Sequence, residues 1–156
     1  MRAGRSVVLG RAVRFDVAPA AELVLGDGCS LGARTRVIVR SGRVRLGPGV
    51  TVGERVTIVA HAGVTIGAGA VLEEGAAIVD FNHVFDDVER PIRLQSLQSA
   101  AVKVGAGARI GLGASILAGV SVGERARVGP HAVVTSDVPA GVAVEGVPAR
   151  AVDSLD

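Results

Sequence analysis

A six-residue period runs through most of this chain, and it leaves few folds open. Read in sixes, residues 25–42 give LGDGCS, LGARTR and VIVRSG, and residues 46–63 give LGPGVT, VGERVT and IVAHAG. Residues 66–83 give IGAGAV, LEEGAA and IVDFNH, and residues 104–133 continue as VGAGAR, IGLGAS, ILAGVS, VGERAR and VGPHAV. An aliphatic residue comes first, glycine often second, and a small or β-branched residue fifth. Leu25, Leu31 and Val37 keep the step of six, as do Leu46, Val52 and Ile58, then Ile66, Leu72 and Ile78, then Val104 through Val134. A weaker copy at Leu9 and Phe15 is expected to form an N-terminal coil.

Such a period predicts short strands wound into coils. The first aliphatic and the residue two before it share a face in an extended segment, because strands alternate sides. Leu23/Leu25, Val44/Leu46, Val64/Ile66 and Val102/Val104 are such pairs. The glycine-containing positions between strands are expected to let the chain turn. Three sixes make one triangular coil, and stacked coils place their aliphatics in columns, each buried side chain contributing about 1.5–3 kcal/mol. The predicted fold is therefore all-β, a left-handed parallel β-helix. One domain over residues 1–156 is expected, with a loop at about 81–101 and a C-terminal tail at about 137–156 that caps the stack.

Composition agrees. The chain is rich in Val, Leu, Ile, Ala and Gly but has three Phe, no Tyr and no Trp. A core without large aromatics needs a regular aliphatic stack. The scarcity of rings also speaks against nucleic-acid binding, which uses them for stacking. Gly or a charged residue interrupts every apolar run, so no 20-residue membrane span is expected, nor a signal peptide. The lone cysteine, Cys29, excludes an internal disulfide, and a cytoplasmic protein is expected. Cys29 stands at a small, inward fifth position and reads as core. The formal charge is +2, and all basic residues but Lys103 are Arg.

The phase breaks at 37–46, 58–66 and 78–104. The last break holds the one long excursion, with Phe81, Asn82, His83, Asp86, Asp87, Glu89, Arg90 and Pro91. A long insertion in so regular a scaffold points to function. His83 is the candidate general base. It sits in the loop beside Asn82 and near carboxylates, and imidazole suits proton transfer near neutral pH. Asp80, Asn82 and Asp86 could orient it, and Asp80, near a strand end, could instead brace the loop.

The repeats and the loop resemble the hexapeptide-repeat acyltransferases, in particular the branch of maltose, galactoside and colanic-acid-type O-acetyltransferases. The resemblance rests on Asp80-Phe81-Asn82-His83, on Pro91-Ile92 with Gln95, and on Gly119-Val120-Ser121-Val122-Gly123. It rests also on the ending, residues 133–139 (VVTSDVP) and 146–150 (GVPAR). It implies an acyl-CoA-dependent O-acyltransferase, with acetyl-CoA as co-substrate, no metal, and direct transfer to a small-molecule or saccharide hydroxyl with His83 as base. It implies a homotrimer with active sites between subunits. Outward apolar residues such as Val71 and Ile92 would be covered in an assembly.

By the same resemblance, Gly111, Leu112, Gly129, Pro130, Thr135, Ser136 and Arg150 contact the acyl-CoA, with Arg150 on a phosphate. Ser136 stands where relatives often have Lys, and Arg127 could substitute. Arg55, Asp86 and Arg109 fall on the acceptor side. Arg109 replaces a Trp usual in the family, and Arg55 replaces an Asn of the sugar-acetylating relatives, so an acidic or non-sugar acceptor enters the expectation. Two other readings stand beside this one. A non-catalytic β-helix scaffold would share the fold. A γ-carbonic-anhydrase-like metalloenzyme would use His61, His83 and His131, whose gaps of 22 and 48 residues are unlike that family's closely spaced ligands.

Overall fold

The computed structural model describes the backbone of residues 1–83 and 97–153, and the side chains of all of these but His83 and Leu97. Among them there is no helix, and so none long and apolar enough to cross a membrane.

Six coils of three strands stack along one axis. The first holds β1 (Arg2–Ala3), β2 (Val8–Leu9) and β3 (Arg14–Val17), and the second β4 (Glu22–Leu25), β5 (Ser30–Leu31) and β6 (Arg36–Val39). The third holds β7 (Arg43–Leu46), β8 (Thr51–Val52) and β9 (Thr57–Ala60), and the fourth β10 (Gly63–Ile66), β11 (Val71–Leu72) and β12 (Ala77–Val79). A pair outside the coils follows, β13 (Phe81–His83) and β14 (Leu97–Ser99). The fifth coil holds β15 (Val102–Val104), β16 (Arg109–Ile110) and β17 (Ser115–Ile116), and the sixth β18 (Ser121–Val122), β19 (Arg127–Val128) and β20 (Val133–Val134). The tail adds β21 (Ala143–Glu145) and β22 (Arg150–Val152).

Equivalent strands of successive coils pair in parallel and make three faces, as the period requires of a left-handed parallel β-helix. The first face runs β1-β4-β7-β10-β15-β18, the second runs from β2 to β22, and the third comprises β3-β6-β9-β12-β17-β20. Register aligns the predicted columns: Leu25, Leu46, Ile66, Val104 and Val122 on the first face, and Val37, Ile58, Ile78, Ile116 and Val134 on the third. All of these are essentially inaccessible to solvent. The copy at Leu9 and Phe15 does form the first coil, whose inward residues are only partly covered.

The glycines divide into two kinds. The expectation that they serve the turn holds for the fourth position of a repeat, where Gly69 has φ +69° and open space around it. At the second position the reason is room. A Cβ on Gly67 would stand 2.4 Å from the Ala106 nitrogen of the next coil. Removing that side chain lets adjacent turns approach closely.

The phase breaks stack on one edge, between the third face and the first. Residues 40–42 and 61–62 and the described ends of the third break, 80–83 and 97–101, all occupy it. The tail continues the winding for less than a turn. Val138 bridges Val122, β21 pairs with β19 in parallel, and β22 folds back antiparallel on β21, covering the exposed edge of the second face.

Candidate active site

The third–first edge carries the base of the excursion. Asp80 follows β12 and is completely buried. Its Oδ1 accepts the His61 N–H at 2.8 Å, and its Oδ2 accepts those of Ala62 and Gly63 at 2.7 Å each. Its own N–H donates to Val59 O at 3.3 Å, and its carbonyl accepts the Ala100 N–H at 2.9 Å. One residue thus ties the preceding corner to both ends of the loop. Of the two roles open to Asp80 from sequence, these bonds serve the bracing one.

The loop does not leave the coils as an irregular strand of chain. β13 and β14 pair antiparallel, with Phe81 opposite Ser99, Asn82 opposite Gln98 and His83 opposite Leu97. The Phe81 ring meets the His61 ring edge-on, with centroids 4.5 Å apart at 70°. This ribbon holds the His83 backbone three residues from the buried Asp80, and Asn82 is exposed on it. Asp86 and Ile92 lie outside the described residues, as does the His83 side chain.

The second–third edge carries a different group. The fourth residues of six successive repeats stack there: Ala12, Arg34, Arg55, Gly75, Gly113 and His131, all with positive φ. Each of the later five donates its N–H to the residue before its counterpart one coil earlier, as Arg55 does to Ala33 O at 2.9 Å. The His131 ring lies over Gly113, where a Cβ would stand 2.5 Å from Nδ1. Beside this edge lies a cleft of about 340 Å³ lined by Glu73, Arg109, Gly111, Arg127, Val128, Gly129 and Pro130. Five residues named from sequence, Arg109, Gly111, Arg127, Gly129 and Pro130, therefore converge on one concavity, and Leu112, next to Gly111, is exposed beside it.

Coil register decides the charge of this cleft, and Arg109 is not a free cation in it. Its Nε instead donates to Glu73 Oε1 at 2.6 Å, while Glu73 Oε2 accepts the Leu112 N–H at 2.9 Å. Glu73 thus offsets Arg109 and fixes the turn that carries Gly111 and Leu112. Sequence reasoning missed Glu73, because 36 residues separate it from Arg109 and only the coil register joins them. Arg55 is likewise paired, with Glu74 at 2.7 Å and Glu54 at 3.8 Å. Such exposed pairs contribute little stability, about 0–1 kcal/mol each, but they decide which charges a ligand meets. Arg127, adjacent to Arg109 in register, makes no ion pair among the described residues and is the cation the cleft offers.

The remaining called residues are spread more widely. Arg150 lies opposite Glu145 in the β21–β22 ladder, one residue past Val144, whose carbonyl takes the Gly129 N–H at 2.8 Å. Its Nη1 donates to Ala149 O at 2.9 Å. Thr135 and Ser136 are exposed at the far end of β20, on the opposite edge. A turn at 130–131 and then β20 separate Pro130 from Thr135. In the fourth coil β12 likewise separates Gly75, the counterpart of Arg55, from Asp80. One copy of the chain therefore presents the loop base and the glycine-lined cleft on different edges of the prism.

Between these edges, the outer surface of the third face bears a half-buried aliphatic column of Ile38, Val59, Val79 and Leu117. Val71, singled out from sequence, is half-buried on the second face instead. Cys29 is fully buried, its Sγ donates to Gly47 O at 3.1 Å, and burial pushes its thiol pKa up. A thiol held in its protonated form does not serve as a nucleophile. His61 and His131 occupy different edges, and among the described residues no cluster of His, Cys, Asp and Glu has the makings of a metal site.

Known proteins with related sequences and folds bear on these arrangements. No protein-family profile matches the chain. The chain is 30% identical over 147 residues to the "Probable acetyltransferase Rv3034c" of Mycobacterium tuberculosis. The match covers 94% of this chain but 49% of that protein, so the chain spans about half the length of its relative. In structure it is similar to a variant of AntD, an N-acyltransferase from Bacillus cereus in complex with dTDP and coenzyme A. There the TM-score is 0.85 at 16% identity, over 99% of this chain and 84% of that one. It is similar also to a maltose O-acetyltransferase from Clostridium difficile 630, with TM-score 0.65 at 19% identity, over 98% and 68% of the two chains.

Proposed function

We propose that this chain, which resembles the hexapeptide-repeat acyltransferases in sequence and fold, moves an acyl group, acetyl by default, from coenzyme A to an acceptor hydroxyl. The observation that carries this reading is the convergence of Arg109, Gly111, Gly129 and Pro130 on one cleft. Gly111 and Gly129 add no side chain to its wall. An amide-rich pantetheine arm can approach such a wall closely, and Arg127 offers its guanidinium to a phosphate. That AntD is bound to coenzyme A in the same fold is in keeping with it.

Transfer is direct. His83 takes the proton from the acceptor hydroxyl while that oxygen attacks the thioester carbonyl carbon. The tetrahedral intermediate collapses, the C–S bond breaks, and the departing thiolate takes up the proton held by His83. Backbone N–H groups are suited to holding the oxyanion. Asn82 and the Asp80 brace position the ribbon that carries His83. Residues 1–156 act as one domain, in the cytoplasm, where the donor thioester is at hand.

The site is completed by a second copy, within a homotrimer. The aliphatic column of Ile38, Val59, Val79 and Leu117 lies between the loop base and the cleft. Covering it with another copy would bring the loop of one chain toward the cleft of its neighbour. Thioester consumption, followed as free thiol with a panel of hydroxyl and amine acceptors, tests the reading. Acceptor-dependent thiol release with an ester product is expected. Amide product alone would remove the hydroxyl assignment. The Val59→Glu variant, which sets a charge in the column, is expected to sediment as a folded monomer without turnover. An active monomer would rule out the shared site.

A further inference from the structure

We propose that Arg14, Arg34 and Arg36 form a phosphate site and that it anchors a phosphorylated acceptor; the acceptor role rests on the transferase reading above. The three guanidinium-bearing residues, with Ala12, line one concavity of about 400 Å³ that has no carboxylate in its wall. None of the three is in an ion pair among the described residues, whereas Arg2, Arg40, Arg43, Arg55 and Arg109 each have a carboxylate within 3.1 Å. The nearby Asp16 is engaged by Arg40 at 3.1 Å.

Two features of the backbone bring these arginines together. Arg14 and Arg36 are direct partners in the parallel register of β3 and β6, which puts like charges on neighbouring strands about 4.8 Å apart. Like charges directly opposite repel, and an anion between them reverses the sign. Arg34 has φ +62°, the left-handed conformation that Gly75 and Gly113 occupy at the same turn two and three coils further on. A cation is thus held where glycine fits with less strain, and it projects from the same edge as the pair. Three planar forks around one hollow suit the tetrahedral oxygens of a phosphate.

Position in the fold gives the site its role. Arg34 stands one coil before Arg55 on the second–third edge, the edge beside which the cleft opens. Coils two and five are separated by three strand spacings, roughly 14 Å. A phosphate held at the arginines would fix the far end of an acceptor and leave its hydroxyl free to reach the thioester.

Calorimetry with inorganic pyrophosphate, carried out in saturating acetyl-CoA so that the donor site is filled, tests this. The Arg14→Gln/Arg36→Gln variant is expected to bind pyrophosphate at least ten-fold more weakly than the wild type. The Arg43→Gln/Arg45→Gln variant, altered in a second arginine-lined concavity on the first face, is expected to bind it unchanged. Both should bind acetyl-CoA as the wild type does and keep its thermal midpoint within about 2 °C, which the small effect of surface changes allows. No pyrophosphate binding by the wild type, or equal weakening in both variants, would overturn the site. Weakened acetyl-CoA binding in the first variant would assign the arginines to the donor and overturn the acceptor role. Pyrophosphate binding that needs the arginines in a protein that binds no acetyl-CoA would sink the transferase reading, and the acceptor role with it, while leaving the phosphate site.

Discussion

Replacement of His83 by alanine is expected to lower kcat for acyl transfer by about 10²–10⁴-fold, the usual contribution of a positioned general base. Acetyl-CoA affinity should stay close to that of the wild type, because the proposed donor site is the cleft on the other edge. The split matters. A residue that merely shaped the donor site would change affinity and turnover together. The β13–β14 ribbon is anchored through Asp80 and the Phe81–His61 ring contact, so truncation at its last residue should leave the coils intact. Steady-state kinetics with binding measured separately checks both halves. Loss of less than five-fold in kcat would remove His83 from the chemistry.

The second large effect concerns stability. Asp80→Ala removes the acceptor for three backbone N–H groups, those of His61, Ala62 and Gly63, at a fully buried position. An unsatisfied buried donor costs about 1–3 kcal/mol, and water can partly replace the carboxylate at this edge. A total of about 3–5 kcal/mol is therefore expected, which for a chain of this size lowers the thermal midpoint by roughly 6–20 °C. Asp80→Asn should also destabilise, since an amide keeps one oxygen and turns a donor toward N–H groups. Thermal denaturation decides the matter. A midpoint within 2 °C of wild type for the alanine variant would contradict the bracing role.

These residues show what was readable in the chain. The inward columns were legible because a period of six leaves the aliphatics one environment, and Leu46, Ile66 and Val104 fall in line. Even the weak copy at Leu9 and Phe15 keeps enough of the pattern to wind. The second-position glycines were assigned the wrong reason. A sequence does not display how near the next coil comes, and Gly67 is dictated by that approach. The loop was legible as a break in phase, but not its paired ends, since the match of Asn82 with Gln98 depends on what the intervening chain spans.

The candidate site was legible in part for a similar reason. Gly111, Gly129 and Pro130 occupy the same turn of successive coils, so residues chosen by resemblance converge in space. Thr135 and Ser136 belong to the next turn, and a strand's length carries them to another edge. The charge of the cleft was not legible. Arg109 reads as a cation in one dimension and as half of a pair once β11 and β16 are neighbours, because that register sets Glu73 beside it. Arg55 follows the same rule with Glu74. Interactions across coils join residues about twenty or more apart, and no local pattern announces them.

The central claim, that this chain is an acyl-CoA-dependent transferase, is tested most directly by titrating acetyl-CoA into the folded, assembled protein in a calorimeter. Saturable binding, one molecule per chain and in the micromolar-to-millimolar range usual for enzyme substrates, is the predicted result. An absence of heat and of competition by free coenzyme A at millimolar concentration would contradict it and leave a β-helix that serves as a scaffold.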